Sequence, residues 1–158
     1  MFHLRPLLLG VSAAALLAGA AAAKDDITVG LQLEPPHLDP TSAAAGAIDS
    51  VLYANVFEGL TRFDSTGAVI PGLAKSWEIS EDGLTYTFAL NEGVTFHDGT
   101  TMDAEDVKFS LDRIGAEDSA NAQKALYAAI SEVNVVDPMT VEIKLSEPNG
   151  NMLFNLAW

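Results

Sequence analysis

The stretch from Pro71 to Ile114 constrains the fold more than any other part of the chain, because it sets two turns, an alternating strand and a capped helix in one fixed order. Leu84, Tyr86, Phe88 and Leu90 recur at every second residue with Thr85, Thr87 and Ala89 between them. That is the pattern of a half-buried strand, whose apolar set faces a core and whose threonines face away. A one-residue slip in register would exchange the two faces, so the pattern also fixes the pairing. Glu81-Asp82-Gly83 is the turn that feeds this strand. A second turn, His97-Asp98-Gly99-Thr100, precedes Asp103, whose short carboxylate suits the cap of a helix carrying Val107, Leu111 and Ile114 along one side.

The flanking sequence extends this to a small antiparallel sheet with helices. Ile27, Val29, Leu31 and Leu33 predict a strand that ends at Pro35-Pro36, since proline cannot donate a ladder hydrogen bond. Ile48, Val51, Leu52 and Val56 predict an amphipathic helix closed by Gly59. Ser65-Thr66-Gly67 reads as a hairpin turn between Leu60–Asp64 and Val69-Ile70, and Ala74–Ile79 as the next strand. A loop from Gly115 to Ser119 leads to a third predicted helix, in which Leu126, Tyr127, Ile130 and Val133 recur at helical spacing. Asn134-Val135-Val136 and Thr140–Leu145 bracket a turn at Asp137-Pro138-Met139.

The first 23 residues read as a secretory signal peptide: Arg5 precedes an apolar run from Leu7 through Ala18, and Ala21-Ala22-Ala23 offers small residues for cleavage between Ala23 and Lys24. The run is shorter than the roughly 20 residues that span a bilayer. The formal charge of −14 becomes −15 once Arg5 is removed, an acidic field that disfavours nucleic acid and anionic membrane partners. The absence of cysteine excludes disulfides, thiolate zinc sites and a lipid-modified cysteine.

Chemistry-bearing motifs are sparse. His37 and His97 stand apart from each other and from any helical pair, so neither is expected to ligate a metal. Asp98, Asp103, Glu105 and Asp106 lack the spacing of a calcium loop and are better explained as carboxylates at the positive end of a helix. There is no nucleophile elbow and no phosphate loop, so neither hydrolysis nor ATP turnover is expected, and no cofactor is implied. Trp77, Tyr86, Phe88 and Phe96 are read as core rather than as a stacking platform.

The Pro71–Ile114 run resembles the family 5 extracellular solute-binding proteins of ABC importers, the peptide, dipeptide and nickel-binding class. So do Leu38-Asp39-Pro40, Asn55 to Leu60, Pro71-Gly72-Leu73-Ala74 with Ser76-Trp77, and the hairpin from Val135 to Pro148, so that almost everything after Ala23 is covered. At Asn91-Glu92 the chain departs from the family, which usually has a basic residue there. The resemblance implies an α/β fold of the two-lobed periplasmic binding protein type II, here its N-terminal part with a small α+β subdomain. Residues 1–23 would be the signal, 24–41 the start of lobe I, 42–148 the subdomain and 149–158 a return towards lobe I. The run ending at Trp158 has no cap or turn and reads as a piece of a longer protein, from a partial gene or a truncated sequence.

The same resemblance implies a periplasmic monomer without catalytic residues or metal. It would capture a peptide or similar small solute and deliver it to permease subunits served by separate ATPase subunits. By position after Asp39-Pro40, Ala44, Ala45 and Gly46 match the family segment whose backbone approaches the bound peptide, and small side chains permit that approach. A secreted hydrolase or a structural periplasmic domain is the alternative. Which solute is bound stays open among dipeptides, oligopeptides, glutathione-like peptides, nickel chelates and sugars.

Overall fold

The computed structural model describes residues 26–41, 46–53 and 55–157. The expected cleavage site at Ala23 and Lys24 lies outside them. The chain divides after Gly30. In the first unit the described residues 26–30 have no regular secondary structure, and Ile27 and Val29 are exposed. Leu31 and Leu33, in the second unit, are exposed as well and form no strand. The predicted strand from Ile27 to Leu33 is therefore not formed: alternation supplies a face, but a strand also needs a neighbour for its backbone groups, and no ladder reaches these residues among those described.

The second unit, from Leu31 onward, is built on one antiparallel sheet. Strands β3 (Ala74–Ile79), β4 (Thr85–Leu90), β5 (Ile130–Asp137) and β6 (Thr140–Leu145) lie in the order β3-β4-β6-β5. On β4, Tyr86, Phe88 and Leu90 are buried and alternate with half-buried Thr85, Thr87 and Ala89, as the sequence predicts. Phe88 sits between Trp77 of β3 and Val141 of β6, and Tyr86 pairs with Ile143, so one face carries a continuous apolar layer. Helix α2 (Ala104–Gly115) covers that layer with Val107 and Leu111. Lys108 fastens the helix to β5, donating to the Val133 carbonyl at 2.9 Å.

Local chemistry explains the punctuation. Asp103 caps α2: its Oδ1 accepts from the Glu105 N–H at 2.8 Å, while Asp106 reaches back to the Asp103 N–H at 2.9 Å, a reciprocal box. The acidic cluster is thus spent on the helix, apart from Asp98, which accepts from the N–H and the hydroxyl of Thr100 in its own turn. The same Asp-x-Thr device closes the turn between β1 (Thr61–Phe63) and β2 (Val69–Pro71), where Asp64 accepts from Thr66. In the turn before β4, Asp82 accepts from the Ser80 hydroxyl and the Leu84 N–H, and Gly83 takes a φ of +71°. Hydrogen bonds from these neighbouring hydroxyls hold the carboxyls of Asp64, Asp82 and Asp98 below the usual carboxylate range.

Three further expectations need correction. Leu126 and Tyr127 lie in a short 3-10 helix (Lys124–Tyr127), but Ile130 and Val133 belong to strand β5, not to a third helix. Ile130 opposes Leu145 and Val133 opposes Ile143, so residues three apart face partners two apart across a β-bulge. The extra residue imitates helical spacing. Helix α1 (Gly46–Leu52) buries Ile48 and Leu52 but stops before Val56, because the N–H groups of Asn55, Val56 and Phe57 all turn back to the Leu52 carbonyl. Phe96 is 45% exposed and is no part of the core, whereas Trp77 packs against it half-buried.

Gly59 accordingly does not close a helix; it sits where three backbone segments meet. A Cβ there would lie 2.4 Å from the Leu156 carbonyl oxygen, and one on Gly72 would lie 2.6 Å from the Gly59 carbonyl oxygen. The segments are laced together: Thr61 N–H to Leu156 O at 3.3 Å, Gly72 N–H to Leu60 O at 3.2 Å and Leu73 N–H to Gly59 O at 3.0 Å. The fully buried Thr61 adds its hydroxyl to the Leu153 carbonyl at 2.6 Å, which secures the short helix α3 (Met152–Asn155). Asn91, at the departure from the family pattern, donates its side-chain amide to the Gly72 carbonyl at 2.8 Å.

Two stability outcomes are expected in chemical denaturation. Phe88→Ala loses about 3 to 5 kcal/mol by emptying a fully buried ring site, while Thr87→Ala costs little; equal losses would refute the alternation. Gly59→Ala and Gly72→Ala each cost about 2 kcal/mol or more through backbone overlap. Gly46→Ala, with open space around the added methyl, is neutral or mildly stabilising. A harmless Gly59→Ala would show that the three segments are not held at this spacing.

Candidate functional site

An open groove of about 870 Å³ lies on the second unit. Four separate stretches line it: the 38–41 loop, Tyr53 and Phe57 after α1, the C-terminal half of α2 with Phe109, Ser110, Arg113 and Ile114, and the 116–123 segment. Gly59, Gly72 and Ala157 bring the three-segment junction to the same groove, together with Arg62 and Glu58.

The 38–41 loop is shaped by Asp39. Its Oδ1 accepts from the Thr41 N–H at 2.8 Å and from the Thr41 hydroxyl at 2.6 Å, and its Oδ2 lies 3.8 Å from the Arg113 guanidinium. The Thr41 hydroxyl, and more weakly the Arg113 charge, hold the Asp39 carboxyl below the usual carboxylate range. His37 lies in the same loop, where its Nδ1 accepts from the Asp39 N–H at 3.3 Å.

The 116–127 stretch is tied from both ends. Lys124 donates to the Ala116 and Glu117 carbonyls at the end of α2. The buried Tyr127 hydroxyl donates to the Asn155 carbonyl at 2.8 Å, and the Asn155 amide returns a bond to the Leu126 carbonyl at 2.8 Å. Burial, reinforced by nearby Tyr53, pushes the Tyr127 phenol up to about 12, so it stays a neutral donor. The Tyr53 hydroxyl reaches Gln123 Oε1 at 3.4 Å, spanning from the α1 side to the 116–123 side.

Of the residues singled out for ligand contact, Ala44 and Ala45 lie outside the described residues. Gly46 opens α1 and is exposed. The loop just before them, through Asp39 and Thr41, does line the groove. Sequence reasoning did not find Tyr53, Arg113, Gln123 or Tyr127 as groove residues; they come from distant stretches and share no spacing. Among the described residues, no three His, Cys, Asp or Glu side chains gather in a metal-binding group. The lining offers aromatic surface, neutral amides and charges of both signs, a set suited to holding a small polar molecule.

Residues 68–157 match the family model described as "Bacterial extracellular solute-binding proteins, family 5 Middle". A glutathione-binding protein of Pectobacterium atrosepticum is 38% identical over 149 residues, which cover 94% of this chain and 28% of that protein. The chain thus spans little more than a quarter of the length of such relatives. Among solved structures, NikZ from Campylobacter jejuni in complex with Ni(L-His) superposes with a TM-score of 0.71 at 33% identity, covering 79% of this chain and 25% of that one. The oligopeptide-binding protein AppA from Bacillus subtilis in complex with a nonapeptide gives a TM-score of 0.74 at 26% identity, covering 78% and 25%. The α/β arrangement is the one typical of periplasmic binding proteins of this kind, and the chain belongs to the bacterial extracellular solute-binding proteins, family 5.

Proposed function

We propose that this chain is part of a periplasmic solute-binding protein of an ABC importer, which captures a peptide or similar small solute and passes it to membrane permease subunits. The observation that carries the reading is the groove between the 38–41 loop, α2 and the 116–123 segment, in a chain of this family. Its size lies within the roughly 300–1,000 Å³ of ligand sites, and its mixed charges and amides suit a zwitterion with peptide groups. The named ligands of three relatives, glutathione, Ni(L-His) and a nonapeptide, are all amino-acid-derived and polar.

In this reading residues 1–158 supply one wall of a two-lobed type II binding protein. Residues 24–41 begin lobe I, 42–148 form the α+β subdomain, and 149–158 lead back. Ala44, Ala45 and Gly46 present backbone to the solute, and a second lobe closes over it by hinge motion that excludes water. The working protein is a monomer without cofactor or catalytic step.

Calorimetry tests this with reduced glutathione, a nonapeptide and Ni(L-His). A protein extended to the length of its relatives should bind at least one of them with micromolar or tighter affinity, and residues 24–158 alone should bind none. Micromolar binding by residues 24–158 would overturn the two-lobe reading, and no binding by the extended protein would overturn the choice of solute class. Secretion with cleavage after Ala23 predicts a mature N-terminus at Lys24. N-terminal sequencing of periplasmic material checks it, and an intact Met1 would mean that the leader is an anchor.

A further inference from the structure

Among the described residues, three turns share the Asp-x-Thr form, with the carboxylate accepting from the threonine N–H and hydroxyl: Asp39-Pro40-Thr41, Asp64-Ser65-Thr66 and Asp98-Gly99-Thr100. Among the described residues, only the first carries an ion pair. The second oxygen of Asp39 faces Arg113, which stands in the last turn of α2 on a different wall of the groove. The turn fixes the carboxylate, and the end of α2 favours a cation at that place. The separation of 3.8 Å is longer than a direct hydrogen bond, so the pair has room to tighten as well as to open.

We infer that Arg113 is a positioning residue: from the end of α2 it holds the 38–41 loop through Asp39, and so sets the spacing of two walls of the groove. The solute consequence rests on the function proposed above; the structural clasp does not. The side chains are 58% and 44% exposed, so the effect is modest, about two- to fivefold in an equilibrium.

Hydrogen exchange on the full chain reads the clasp directly at the Thr41 amide. Arg113→Gln should speed exchange there about two- to fivefold, leave Thr66 and Thr100 unchanged, and be largely rescued in Arg113→Lys. Asp39→Asn keeps an oxygen for the turn but removes the charge, and in that background Arg113→Gln should have no further effect. Unchanged exchange at Thr41, or an undiminished effect in the Asp39→Asn background, would overturn the inference. In the extended protein, Arg113→Gln should weaken a bound probe such as reduced glutathione by a similar factor, again only while Asp39 is charged; an unchanged affinity would overturn the link to the groove. Because exchange needs no solute, a protein that binds none of the probes overturns the choice of solute class while the clasp is still decided.

Discussion

The close meeting of three backbone segments at Gly59, Gly72 and Leu156 is the constraint on which the second unit depends. Side chains elsewhere can adjust to a substitution by changing rotamer; here backbone atoms face each other with no room for a methyl group. The junction does three things at once. It starts the β1–β2 hairpin, delivers the chain into β3 through Leu73 and Ala74, and anchors α3 through Thr61. Because Tyr127 is bonded to Asn155 of α3, the 116–127 stretch inherits its position from the same junction. One wall of the groove is therefore tied to the backbone junction through the side-chain hydroxyls of Thr61 and Tyr127.

Much of the fold was legible where one local rule decides the outcome. Strand β4 follows from strict alternation, the cap of α2 from Asp103, and the turns from Asp, Gly and Pro at the right offsets. What was not legible required knowledge of a partner. The bulge in β5 gave Ile130 and Val133 a helical interval, and only the pairing with Leu145 and Ile143 reveals the strand. Gly59 has the composition of a helix stop, yet its reason lies nearly a hundred residues away in sequence, at Leu156. Ile27 to Leu33 has a strand pattern without a ladder.

The site was less legible than the fold for the same reason. Asp39 stood out as a landmark, but its meeting with Arg113 depends on how α2 lies against the loop, and Tyr53 and Gln123 are joined only by topology. Membership of the family was readable because the run from Pro71 to Ile114 combines several local signals in order. Individual groove residues such as Tyr53 and Gln123 were not, since they come from separate stretches and share no spacing in the sequence.

The hydroxyl-stapled carboxylates have a consequence for proton uptake. Asp39, Asp64, Asp82 and Asp98 all bind protons less readily folded than unfolded, whose ordinary value is 3.8. Their contribution to stability is complete above that value and is lost as pH falls through the lower values of the folded state, because the unfolded chain takes up protons first. These turns, with Glu132 of β5 held down by its hydrogen bond from Lys144, each favour the folded state less in acid. For a chain with a formal charge of −14 at pH 7 and an isoelectric point near 4.2, acidification first relieves self-repulsion, and the turns lose their staples only below that point, where the net charge has turned positive and self-repulsion grows again.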